Sequence, residues 1–227
     1  MHYRGNRGFV RSSIRPGFSR FGGDYGRVFD TRGVYRPELK SHDVSFGPVQ
    51  ASGTLLAGLN VLVAGVAPTQ VVGRRITIKS LQVKAVLRKD ASSNVNPTLI
   101  VANDCVKMVL VLDTQANGAY PLWSDIFAST TYTSYLNLRN ANRFQILKEW
   151  DVTMRNSGVA WDGTVYTVVE SVHCINHYKK VNIRIDFSIS PTGVITEIRS
   201  NNVFLMAISQ QGSVNISGRT RIRYLDA

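Results

Sequence analysis

The chain has 227 residues, 44% hydrophobic and 9% aromatic, so it can bury one sizeable core and is not disordered throughout. Lys and Arg total 27 against 15 Asp and Glu, and the formal charge of +12 points to a polyanionic partner. Two cysteines exclude a disulfide framework, and the longest apolar stretch, residues 55–67, is too short to cross a bilayer. The first twenty residues lack the apolar segment of a secretory signal, so the expectation is a soluble protein of a reducing compartment with no membrane partner.

Residues 1–40 hold nine cations (Arg4, Arg7, Arg11, Arg15, Arg20, Arg27, Arg32, Arg36, Lys40) and three acids (Asp24, Asp30, Glu38). Half of the net charge therefore sits in this segment. Seven glycines and seven aromatics alternate with the arginines without a helical or strand period. Such a sequence cannot bury enough apolar surface to offset its ordering entropy, so residues 1–40 are expected to be a mobile basic arm. Guanidinium groups pair with phosphates, aromatic faces stack on unpaired bases, and glycine lets the backbone follow a strand. Arg4, Arg7, Arg11, Arg15, Arg20 and Arg27 are thus candidate nucleic-acid contacts. A solubilising tail or a nuclear-import signal is the alternative, although import signals cluster their cations and these are spaced out. Pro16, Gly17, Gly22 and Gly23 would break a helix meant for a duplex groove.

Residues 41–227 read as one β domain. Ile76 and Ile78 open a strand whose apolar phase slips by one to Leu81, Val83 and Ala85, which predicts a bulge at Lys79–Ser80. Val106 to Leu112 is a short apolar run of strand type. Trp123 to Ser129 can form a turn or two of helix after Pro121. Phe144, Ile146, Trp150, Val152 and Met154 fall on one face of a further strand, interrupted by Lys148. Residues 164–172 form another short run, and Val181, Ile183, Ile185, Phe187 and Ile189 alternate with polar residues. Phe204 to Ile208 and Asn215 to Leu225 complete the set. Turn signals separate them at residues 92–97, 117–118, 156–158, 191–193 and 211–212. About eight antiparallel strands with long connections predict an all-β, eight-stranded jelly-roll sandwich.

Chemistry is sparse. No phosphate-cradling glycine loop, zinc-protease or nucleophile-elbow motif occurs. His173, Cys174 and His177, with Cys105, form the only ligand-like set. Positions 173 and 177 would lie roughly 13 Å apart on a strand, so no metal is expected. Asp104, Asp113, Asp125 and Asp162 read as turn and cap residues. Neither a catalytic residue nor a cofactor is assigned, and the chain is not expected to be an enzyme. The last strand is more informative, because Arg219, Arg221 and Arg223 share one face while Ile222 and Tyr224 take the other. Neighbouring guanidiniums would stand about 6.7 Å apart, comparable to phosphates along an extended single strand. Arg74, Arg75, Lys79 and Lys84 form a second candidate basic surface.

Several runs, taken in order, carry a resemblance. They are Gly73–Leu81 (GRRITIKSL), Lys107–Gly118 (KMVLVLDTQANG), Pro121–Phe127 (PLWSDIF), Asn137–Met154 (NLRNANRFQILKEWDVTM), His177–Ile185 (HYKKVNIRI), Asn201–Ser209 (NNVFLMAIS) and Gly218–Asp226 (GRTRIRYLD). Together they resemble capsid proteins of circular, Rep-encoding single-stranded DNA viruses of circovirus and geminivirus type, over residues 47–226. The resemblance implies a jelly roll assembling into an icosahedral shell of about 60 copies, a homo-oligomer built on closed symmetry. It further implies an inward basic arm on a packaged single-stranded DNA genome, residence in the virion, and passage through the host nucleus by its import machinery. Relatives carry denser basic arms; the thinner, glycine-rich arm here bears on import more than on DNA contact.

Two alternatives stay open on the residues alone. One is a non-viral single-stranded nucleic-acid-binding β-sandwich module. The other is the coat protein of a satellite-type RNA virus, which shares the architecture and leaves RNA as a cargo. A jelly-roll enzyme or lectin would need a pocket with convergent polar groups that the pattern does not provide.

Overall fold

A computed structural model describes residues 38–89, 93–94, 103–155, 159–161, 163, 166–168, 171–212 and 214–226. The arm expectation for residues up to 37, the turn at 156–158 and Asp162 lie outside the described residues.

Eight long strands build the domain: β1 (Leu39–Gln50), β2 (Ser52–Gly58), β3 (Arg75–Lys89), β5 (Asn103–Asp113), β6 (Phe144–Arg155), β9 (Ser171–Phe187), β11 (Asn202–Ser209) and β12 (Val214–Asp226). Shorter pieces are β4 (Ser93–Asn94), β7 (Val159–Trp161), β8 (Tyr166–Val168) and β10 (Ile198–Ser200). One sheet runs β1-β12-β3-β9-β10 and the other β2-β11-β5-β6, while β4, β8 and β7 form a small third sheet. Numbering the eight long strands along the chain, first pairs with eighth, second with seventh, third with sixth and fourth with fifth. All these pairings are antiparallel. That wrapping is the jelly roll, with β10 as a ninth strand added at one edge.

The core lies between the two sheets. Ile76, Ile78, Leu81, Val83, Leu87, Ile216 and Ile222 from one face meet Val106, Met108, Leu110, Val203 and Leu205 from the other. The bulge in β3 is present. Ile78 and Ser80 pair with the adjacent residues Tyr224 and Arg223, leaving Lys79 without a partner on β12. Inward positions shift accordingly, from Ile76 and Ile78 to Leu81, Val83 and Ala85.

β6 departs from expectation. Leu110 and Val111 pair with Lys148 and Ile146, so Leu147 is an extra residue. This bulge reverses the facing: Trp150, Val152 and Met154 join the inter-sheet core, whereas Phe144 and Ile146 pack on the opposite side of the sheet. The five apolar residues therefore do not share one face. Ile189, expected at the end of the β9 alternation, lies beyond that strand and is exposed.

Phe144 and Ile146 are covered by the connection 114–143. Within it a single helical turn, α1 (Trp123–Ile126), follows Pro121, and the Asp125 carboxylate accepts the Leu122 N–H at 2.8 Å. Trp123 stacks on Phe127 with ring centroids 4.4 Å apart, and Tyr120 meets Phe204 edge-on. With Ile126 they seal Val109, Val111, Phe204, Met206 and Ile208 on the outer side of the four-stranded sheet. Asp113, fully buried, accepts two hydrogen bonds from the Arg143 guanidinium at 2.9 and 2.8 Å and closes the base of the connection. Asp104 accepts the Gln211 N–H, so Asp104, Asp113 and Asp125 are turn and cap residues as expected.

Candidate nucleic-acid interface

The outer side of the five-stranded sheet has no such cover among the described residues. Along β12, Arg219, Arg221 and Arg223 are exposed, while Thr220, Ile222 and Tyr224 between them are buried. Register then sets their neighbours across the sheet. Ser45, Arg219, Lys84 and Asn176 form one row; Asp43, Arg221, Gln82 and Tyr178 the next; and Ser41, Arg223, Ser80 and Lys180 the third. Lys79, at the bulge, reaches the Asn182 side chain on β9. Lys84 and the three β12 arginines are thus brought onto one face, as the alternation predicts.

Some of these charges are neutralised locally. The Arg221 guanidinium donates two hydrogen bonds to the Asp43 carboxylate, both at 2.6 Å. Those bonds hold the Asp43 carboxyl below its ordinary range. At the far end Arg75 donates to Asp186 at 2.6 Å and Arg184 lies 3.4 Å from the same carboxylate. Arg75, with help from Arg184, lowers the Asp186 carboxyl in the same way. Arg219 donates to the Ser45 hydroxyl, and its charge helps lower the Asp43 carboxyl. Among the described residues no acid forms an ion pair with Lys84, Lys180, Arg219 or Arg223. Arg74 and Arg75 sit with Arg199 around a cavity of about 600 Å³ at the β10 end of the sheet.

Lys180, Arg184, Arg199 and the exposed Tyr178 were not singled out from the sequence. For the three on β9 the signal was present, because Tyr178, Lys180, Asn182 and Arg184 alternate with Lys179, Val181, Ile183 and Ile185. Arg199, on a three-residue strand, has no such periodic signal. Lys40 behaves unlike an arm cation. It is buried at the start of β1, ion-paired with Asp226 at 2.7 Å and bonded to the Gln70 carbonyl. Arg4, Arg7, Arg11, Arg15, Arg20 and Arg27 lie outside the described residues.

The ligand-like set is not assembled. Cys174 is exposed on the outer face of the five-stranded sheet, whereas Cys105 belongs to the other sheet, beside Thr153. His177 points inward, edge-on to Trp150, and burial together with Lys148 and Lys179 makes it harder to protonate than an ordinary histidine. Among the described residues no three His, Cys, Asp or Glu side chains converge as a metal site.

Comparison with known proteins agrees with the architecture. The model of the family described as "Geminivirus coat protein/nuclear export factor BR1 family" matches residues 40–225. A capsid protein from Miscanthus streak virus (isolate 91) is 26% identical over 117 residues. That match covers 47% of this chain and 46% of the relative, so the chain spans about half the length of the curated relative it matches.

Proposed function

This chain belongs to the geminivirus coat protein/nuclear export factor BR1 family, and from that membership we propose that it is the subunit of a small icosahedral virion enclosing single-stranded DNA. A structural coat protein needs two things from its fold: lateral surfaces that bind further copies, and an inward surface that neutralises the genome. The outer face of the five-stranded sheet suits the second role, and its unpaired cations are the observation that carries this reading. Lys84 and Arg219 stand in one row and Arg223 and Lys180 in the next but one, and among the described residues none of the four forms an ion pair with an acid. An aromatic ring, Tyr178, is exposed among them. Cations spaced along an extended backbone, with an aromatic face for stacking, favour unpaired strands of any sequence. In this reading an arm ending before β1, residues 1–37, supplements that surface. Sixty arms of charge +6 would carry roughly 360 positive charges, a minority of the phosphates of a kilobase-scale genome.

For lateral contact the described surface offers Leu122, Tyr135 and Leu138 on the connection that covers the four-stranded sheet, all more than two-thirds exposed. Burying such side chains at many equivalent interfaces is how a shell gains stability. No helix among the described residues is long and apolar enough to cross a membrane.

The test is negative-stain electron microscopy of the purified protein, with absorbance at 260 and 280 nm read on the same fraction. Uniform round shells with a high 260/280 ratio are expected, and nuclease sensitivity identifies DNA against RNA. A small species that binds single strands and never assembles would replace the shell subunit with a nucleic-acid-binding or transport role. Deleting residues 1–36 should leave shells containing little nucleic acid; full loading by that truncation would remove the arm from the packaging role.

A further inference from the structure

We propose that a depression crossing the outward face of the five-stranded sheet is a subsite for an unpaired nucleobase, with its phosphate held at Lys84 and Arg219. This rests on the reading of that face as the single-strand interface. The depression measures about 600 Å³. Its floor is backbone, because Gly218, Ala85 and Ile175 stand in register and the side chains of Ala85 and Ile175 are buried beneath the sheet. Gly218 falls in the inward register of Ile216 and Thr220, and no side chain fits there. A Cβ would come 2.2 Å from the Lys84 carbonyl oxygen, so the strands approach more closely than any other residue allows.

The two walls differ in chemistry. On one side stand Val86 and Cys174, small and weakly polar; on the other stand Asn176, Lys84 and Arg219. The rows flanking the floor lie roughly 6.7 Å apart, two strand rises, which admits a flat ring. A base seated there gains apolar contact from Val86 and Cys174, and the Asn176 amide offers both a donor and an acceptor to its edge. Its phosphate meets two cations that, among the described residues, form no ion pair with an acid. A purely apolar ligand would leave Lys84 and Arg219 uncompensated, whereas a nucleotide satisfies both walls. An amide that turns either way and a backbone floor impose no strict sequence preference.

Cys174 makes the proposal directly measurable, since the chain has one other cysteine and that one lies on the other sheet. The full-length, nuclease-treated protein is alkylated with iodoacetamide, with and without a saturating oligothymidylate. Binding is followed by anisotropy, and light scattering verifies equal particle size. Oligonucleotide should slow modification of Cys174 about five- to tenfold and leave Cys105 unchanged, since base contacts of this kind are worth that order of occupancy. In parallel, Cys174→Trp should fill the depression and weaken binding several-fold; binding at the wild-type level would overturn the subsite. Bound oligonucleotide with Cys174 still fully reactive would overturn the subsite and leave the single-strand interface standing. No detectable binding would overturn the interface itself. Protection that rises with protein concentration alone would make the depression a contact between copies.

Discussion

The two outer faces of the sandwich have opposite fates. The four-stranded sheet is covered by the chain itself: the connection 114–143 lays Trp123, Ile126 and Phe127 over Val109, Phe204 and Ile208. Among the described residues nothing covers the five-stranded sheet, and its exposed rows carry arginine, lysine and amide side chains. A jelly roll has no need of two covered faces, because its core lies between the sheets. Covering one face spends sequence on stability; the face uncovered among the described residues is the one proposed above to meet a charged partner. The strands themselves record the choice. β11 is buried at all eight positions, six of them the apolar run Val203–Ile208, whereas β12 alternates buried and exposed residues along most of its length.

The largest effect should come from undoing the cover at its base. Asp113→Ala leaves the Arg143 guanidinium without its buried partner. It should cost about 3–5 kcal/mol, read as a fall in the denaturation midpoint. A wild-type midpoint would mean that the apolar contacts alone hold the connection. Phe127→Ala removes the ring stacked on Trp123 and should cost about 3 kcal/mol, with new binding of a hydrophobic dye to the exposed sheet face. Unchanged dye binding would show that the connection collapses onto the gap.

Acid should act next. His42 and His177 are both harder to protonate in the folded chain than in the unfolded one, chiefly through burial. Below the ordinary histidine value of 6.5 the unfolded chain takes up these protons first. Stability is therefore full above that pH and falls as pH drops through it. The melting temperature should decline between pH 7 and 5, and the double variant His42→Asn, His177→Gln should flatten that decline. The carboxylate of Asp43 has the same sign at lower pH. Its folded value lies below the ordinary one, so its contribution persists above that range and is lost only in stronger acid.

The smallest change sharpens the bare face. Asp43→Asn frees the Arg221 guanidinium and, as an exposed pair, should alter stability by less than about 1 kcal/mol. Its effect belongs in binding: the logarithmic salt dependence for a single strand should steepen by about 0.7, one further phosphate contact. Removing Arg221 itself should change that slope less than removing Arg223, which forms no ion pair with an acid among the described residues. Equal slopes for the two would mean that Asp43 gives way when nucleic acid binds.

Much of this was legible in the residues. The alternation on β12 located its three arginines, and the one-residue slip after Ile78 located a bulge, because each is a local consequence of the period-two pleat. β1 and the β2 stretch escaped notice. In β1, Lys40, His42, Asp43 and Gly47 mask the alternation, and β2 has only seven residues with glycines at 53 and 58; both are strands because their partners fix them. The bulge at Leu147 was hidden for a related reason. Phe144 to Met154 looks evenly spaced, and only the aromatic cover from residues 114–143 shows that Phe144 and Ile146 have a core of their own to enter. Charge neutralisation was illegible altogether. Asp43 and Arg221 are 178 residues apart in sequence, and only the pairing of first strand with last brings them together.

That same pairing sets a timetable. β12 lies between β1 and β3, so the middle of the cationic sheet is absent until the final strand has been made. From Lys89, the end of β3, to Asp226 the ribosome adds 137 residues, about 7 to 27 seconds of synthesis. Throughout that interval β1 and β3 present open edges to solvent and to chaperones, and the rows Arg219, Lys84 and Asn176 do not yet exist. A nascent chain thus cannot offer nucleic acid the finished face while it is still being translated.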